Sequence, residues 1–283
     1  MYTFICEDNP NSIFSGVYDA WAFKVGQGRS TFHSVSNHLS QPPVCRHEDI
    51  HLISREPDNY ELFCEYFPVT ASEEKAQKVV RTLCTRLGME FYETILNAIL
   101  AITPTHSGDI DKADAVYKTL VLALNQGLGV RALDHLSDPY AHRIFTLSRA
   151  TSCEAHHLKG FLRFSELKNG VLFSTIHPKN NALPILAEHF TDRLPQENFM
   201  IYDENRQLAA VHAAGKNFML VDASELDPDI LTHYSTREQE FRELWLTFFE
   251  SIAITARINP SLQAQNIPKR FWSDALELRP KLN

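Results

Sequence analysis

The chain has 283 residues, enough for one or two domains with a substantial core and no need of a stapling metal or disulfide. Its 44% hydrophobic and 22% charged residues are ordinary for a globular protein, and no apolar run approaches the 18 residues of a membrane-spanning helix. A formal net charge of −8 disfavours non-specific attraction of the whole chain to nucleic acid or anionic membrane, though not a local basic groove.

In chain order, residues 2–6 read as a strand, and Asn9-Pro10 opens a helix with Asn as N-cap and Pro at the first helical position. Ile13, Phe14, Val17, Tyr18 and Trp21 recur at helical spacing behind it. Residues 26–48, with Gly, Ser, Gln and a Pro-Pro pair, read as a long loop, and residues 62–67 as a short extended piece. Thr70 and Glu73 form a capping box before the next helix, and residues 70–158 carry apolar stripes that make them mostly helical. Residues 160–164 and 171–176 flank Lys168-Asn169-Gly170 and predict a β-hairpin. A helix through Leu183, Leu186, Phe190 and Leu194 follows. Three further strands, at 199–202, 207–212 and 218–221, complete an antiparallel sheet of about five. Phe241, Leu244, Trp245, Phe248, Phe249 and Ile252 then line one face of an amphipathic helix, predicted to be core. Segregation of helices from strands predicts an α+β fold: an N-terminal mostly helical region with an initial strand (1–154) and a C-terminal α+β region (155–283).

Cys6, Cys45, Cys64, Cys84 and Cys153 lie far apart, with no C-x-x-C pair. With no basic, apolar start to suggest a secretory signal, they read as reduced thiols of a cytoplasmic protein. His47-Glu48-Asp49-Ile50-His51 matches H-E-x-x-H, but charged neighbours and Pro42, Pro43 and Pro57 around it argue for a solvated loop rather than a zinc helix. His156, His157, His177, His189 and His212 read as scattered side chains rather than a composite metal site. No glycine-rich dinucleotide or P-loop motif and no G-x-S-x-G elbow occurs, so no metal or cofactor is expected in this chain.

Two stretches carry basic and aromatic groups together. The first is Lys159-Gly160-Phe161-Leu162-Arg163-Phe164, with His177 and the run Tyr202-Asp203-Glu204-Asn205-Arg206. The second runs from Arg257 through Lys269, Arg270, Phe271 and Trp272, with no acidic residue between 255 and 272. Cations interleaved with aromatics suit phosphates and stacked bases, which makes Lys159, Arg163, Arg206, Arg257, Lys269, Arg270 and Trp272 candidate nucleic-acid contacts. The competing reading is a cation-capped helix end followed by a packed aromatic tail.

The blocks KGFLRFSEL (159–167), STIHPKNNALPILAEHFTDRL (174–194), FMIYDENRQLAAVH (199–212) and IAITARINPSLQAQNIPKRFWSDALEL (252–278) resemble a largely uncharacterised bacterial family of DNA-metabolism or DNA-repair proteins. The resemblance covers about residues 155–277, with a similar start at residues 2–21 in which Glu7-Asp8-Asn9-Pro10-Asn11-Ser12 replaces the usual turn. Members are typically encoded beside a radical S-adenosylmethionine protein, and some carry a uracil-DNA glycosylase-like domain that the resemblance does not place here. It implies a cytoplasmic protein that binds DNA, the radical protein, or both. Arg163, His177, Asp203, Arg206, Arg257, Asn259, Gln263 and Trp272 fall on the family's pattern positions. Two alternatives stay open: a stand-alone nucleic-acid-processing enzyme using His177, Asp203 and Arg206, and a purely structural partner-binding subunit.

Overall fold

The computed structural model describes residues 1–30, 45–57, 59–102, 109–225, 233–274 and 276, leaving aside the side chains of 27–30, 270 and 273–274. It is α+β and divides into two compact units, Met1–Ser152 and Cys153–Asn283. The long helix α5 (Pro139–Phe161) contributes to both.

The first unit is built on a three-stranded parallel sheet, with β1 (Tyr2–Ile5) between β2 (Ile50–Ile53) and β3 (Glu65–Pro68). Helix α1 (Pro10–Ser30) opens where Asn9 Oδ1 accepts the Ser12 amide at 2.8 Å. Its Ile13, Phe14 and Val17 pack into one core with Phe4 and Leu52 of the sheet. Gly16 permits this close approach, because a Cβ there would collide with Cys6 Sγ. Helices α2 (Glu73–Arg86), α3 (Met89–Leu100) and α4 (Lys112–Leu124) complete the unit. The cap of α2 is Ser72, whose Oγ accepts the Lys75 amide, and not Thr70 as the capping-box pattern suggested.

Helix α4 is buried along most of its length, and its charged groups are individually satisfied. Lys112 donates to the carbonyls of Ile99 and Ala101, while Asp114 accepts the Leu52 amide. The segment expected to be a solvated loop is not one. His47–Asp49 forms a 3-10 turn leading into β2, with His47 buried and bonded to Tyr117 Oη at 2.7 Å, and with His51 bonded to Asp114 at 3.0 Å. The two histidines of the H-E-x-x-H pattern therefore serve two separate side-chain pairs. The charges that looked solvent-seeking, Arg46 and Asp49, close the turn through a backbone-to-carboxylate bond of 2.9 Å.

The second unit holds a five-stranded sheet in the order β4-β5-β6-β7-β8: Ser165–Glu166, Leu172–Ile176, Phe199–Asp203, Leu208–His212 and Met219–Asp222. The expected hairpin is present across Asn169-Gly170, but its first strand begins at Ser165 because α5 continues through Gly160 and Phe161. The sheet is mixed rather than wholly antiparallel. Helix α6 (Leu183–Arg193) carries the chain from β5 to a parallel β6, as a crossover helix does. Leu183, Leu186 and Phe190 of α6 pack on Ile176, Phe199 and Ile201 to form the core.

The largest departure concerns α7 (Thr236–Ile252), which was expected to be core and has no buried residue. Phe241 is 62% exposed and Leu244 67%, and Phe248, Phe249 and Ile252 are also exposed. Helical spacing fixes which side chains share a face, but not which face meets the protein. Here polar contacts set the orientation: Glu238 Oε2 accepts the Glu166 amide at 3.2 Å, and Tyr234 bridges to Leu167. The stretch 259–268 carries α8 (Pro260–Asn266), capped by Asn259 Oδ1 on the Leu262 amide at 3.0 Å.

Candidate nucleotide-binding cavity

The crossover from β5 to β6 brings two of the sequence-selected segments together. Parallel pairing sets Ile176 beside Asp203, so His177 and the Asp203–Arg206 turn leave the same, carboxyl end of the two strands. Crevices at such strand ends are where open α/β sheets bind ligands. His177 Nε2 and Glu204 Oε2 are 2.5 Å apart, and the Glu204 amide donates to Ile176 O at 3.2 Å.

Asp203 and Arg206 are paired with each other. Asp203 is fully buried, with its Oδ2 receiving Arg206 Nη1 at 2.9 Å. Burial pushes its carboxyl above the usual range, opposed by the hydrogen bonds and charge of Arg206. Arg206 also donates to the carbonyls of Pro178 and Lys179, and Asn205 Nδ2 donates to Pro178 O at 3.0 Å. The pair fastens the β6–β7 turn to the loop after β5. From the other side, Glu154 of α5 accepts the amides of Lys179 and Asn180 at 2.9 and 2.7 Å.

Arg163 makes no ion pair with Asp203 among the described residues. Its Nη1 donates to the carbonyls of Gly160 and Leu162 at 2.9 and 3.1 Å, closing the end of α5. It does converge with His177. Both line a cavity of about 330 Å³, together with Phe164, Phe241, Arg242 and Trp245. Arg242 lies 4.1 Å over the Tyr234 ring and pairs with Glu238 at 3.3 Å, so its guanidinium is held at the wall. Ser165, Ser174 and Thr175 add hydroxyls. Sequence reasoning missed Tyr234, Glu238, Arg242 and Trp245 as wall residues. The one available signal was Glu238 and Arg242 at i,i+4 beside Trp245, which the apolar stripe obscured.

The remaining candidates are dispersed. Lys159 is half-buried in α5, and after burial its charge and that of Arg193 hold His189 below the ordinary histidine value. Arg257 is exposed in a 3-10 turn (Thr255–Arg257) and makes no ion pair with a described residue. Lys269 is exposed, 5.9 Å over the Trp272 ring. Trp272 Nε1 donates to Ile267 O at 2.8 Å, and the neighbouring Phe271, 1% exposed, packs against His157 and Phe161. The aromatic pair is thus an anchor of the tail. The Arg270 side chain lies outside the described residues.

The five cysteines are free thiols, and among the described residues no three His, Cys, Asp or Glu side chains are grouped to hold a metal. No described helix is long and apolar enough to cross a membrane. A family model described as a domain of unknown function, DUF4130, matches residues 110–277. No curated protein and no solved structure matches the chain.

Proposed function

The chain belongs to the DUF4130 family of domains of unknown function, and on that premise we propose that it acts in DNA metabolism or repair by taking up one nucleotide of a nucleic-acid strand in the cavity beside β5. The observation that carries this reading is the lining: Phe164, Phe241 and Trp245 supply flat apolar surface, while Arg163 and the stacked Arg242 supply cations in the same 330 Å³. That volume is at the small end of ligand pockets and suits a single base with its sugar and phosphate. Rings stack on bases regardless of sequence, and guanidinium groups serve phosphate or a base edge. The resemblance to DNA-repair proteins points the same way, and a cytoplasmic location belongs to the same proposal.

Titrating fluorescent single- and double-stranded oligonucleotides, with and without lesions, across salt concentration tests the reading. Trp245→Ala and Arg163→Ala should each weaken binding several-fold. Binding that ignores both substitutions, or absence of binding at low salt, would overturn it. The stand-alone enzyme built on Asp203 gains nothing from the geometry, because that carboxylate is enclosed against Arg206.

A second element is favoured by the bare face of α7. Exposed contiguous apolar surface of this kind marks interaction sites. A radical S-adenosylmethionine protein, the partner implied by the resemblance, would dock there and supply the chemistry. Co-purification of the two proteins, lost in Phe241→Ser/Leu244→Ser, is the expected result; retention in that variant would place any contact elsewhere.

A further inference from the structure

We propose that the Met1–Ser152 unit carries a separate pocket for a small phosphate monoester of about mononucleotide size, formed where α1, the His47–Asp49 turn and α4 meet the start of α5. A cavity of about 460 Å³ lies there, wholly within this unit. Three cations reach it on an otherwise acidic chain: Lys24 from α1, Arg46 before the turn and Lys118 from α4. Their roles differ. Lys118 is 8% exposed, and its ammonium donates to the carbonyls of His47 and Glu48 at 2.7 and 3.2 Å, so it fixes the turn and lends charge without being free to move. Neither the Lys24 ammonium nor the Arg46 guanidinium pairs with a carboxylate among the described residues.

The buried His47 gives the pocket its direction. It is 8% exposed, its Nδ1 is engaged by Tyr117 Oη, and the Trp21 ring lies 4.9 Å from its own. Its Nε2 has no hydrogen-bond partner among the described residues, although the residue lines the cavity. Burial, reinforced by the Lys24 and Lys118 charges, holds the ring neutral by lowering its pKa to about 4. In the tautomer in which Tyr117 donates to Nδ1, the neutral ring presents Nε2–H as a donor to a ligand oxygen. Two carboxylates also line the space. Asp138 is occupied, its Oδ1 accepting the Tyr140 and Ala141 amides at the start of α5. Glu48 is exposed and can accept from ligand hydroxyls, as can the amide oxygens of Asn125 and Gln126. A ligand with one anionic end and one hydroxylated end satisfies both sets, and a nucleoside monophosphate has that chemistry. The proposal rests on no part of the reading of the other unit.

Calorimetric titration of the full chain with AMP, adenosine and inorganic phosphate tests it. AMP should bind, adenosine should bind about tenfold more weakly or not at all, and inorganic phosphate should compete with AMP. Lys24→Ala and Arg46→Ala should each weaken AMP about fivefold or more without altering the melting temperature. The His47 ring resonances should move on titration. A short 5′-phosphorylated oligonucleotide against its 5′-hydroxyl twin separates a free monoester from a strand terminus. The idea is overturned by equal binding of adenosine and AMP, by binding indifferent to both substitutions, by the absence of binding, or by uptake of the oligonucleotide alone.

Discussion

Acidification should unfold the Met1–Ser152 unit through His47 in a window set by that one ring. In the unfolded chain the imidazole takes a proton near its ordinary value of 6.5, whereas in the folded unit burial and the Lys24 and Lys118 charges hold it neutral down to about 4. Between those values the unfolded state binds more protons, so stability rises with pH. The contribution is complete above pH 6.5 and is lost progressively as pH falls toward 4. A displacement of that size corresponds to about 3 kcal/mol, a large part of the stability of an ordinary domain. Urea unfolding at pH 7, 6, 5 and 4 measures it, with His47→Gln as reference, since a glutamine amide can still bond Tyr117 Oη but cannot take up a proton. Wild type should lose about 3 kcal/mol more than His47→Gln over that range, at no more than about 1.4 kcal/mol per pH unit. The His47 resonance should titrate near pH 4. A constant difference between the two proteins, or titration near 6.5, would refute the account of how the ring is held.

Three further outcomes follow from burial and pairing. Glu154→Ala should destabilise the second unit by roughly 3 kcal/mol in chemical denaturation, because the Lys179 and Asn180 amides and Asn180 Nδ2 lose a carboxylate that is 3% exposed. Phe271→Ala should cost about 3–5 kcal/mol through the cavity it leaves against Phe161 and His157, whereas Lys269→Ala, on an exposed side chain, should change stability by less than about 0.5 kcal/mol. Phe241→Ser/Leu244→Ser should leave the unfolding midpoint nearly unchanged, since neither side chain is packed; a loss of several kcal/mol would mean that the face is covered after all.

What the chain's order of residues determined by itself was the local geometry. Asn9-Pro10 starts a helix, Asn169-Gly170 turns a hairpin, and Phe241 to Ile252 share one helical face, because caps, turns and periodicity depend on neighbours a few residues away. The α+β class and the position of most strands followed from the same signals. Tertiary structure decided everything that depends on which surfaces meet. The stripe on α7 read as core, yet the polar contacts of Glu238 and Tyr234 turn it outward. Asp203 and Arg206 read as chemistry, yet burial makes them a clamp. His47 read as a residue of a solvated loop, yet Tyr117, 70 positions away, holds it inside. The cavity walls come from Arg163, His177 and Trp245, which no spacing rule connects. Periodicity assigns a side chain to a face of its own element. Only the packing of distant elements, with its desolvation and pairing, determines whether that face becomes core, clamp or binding surface.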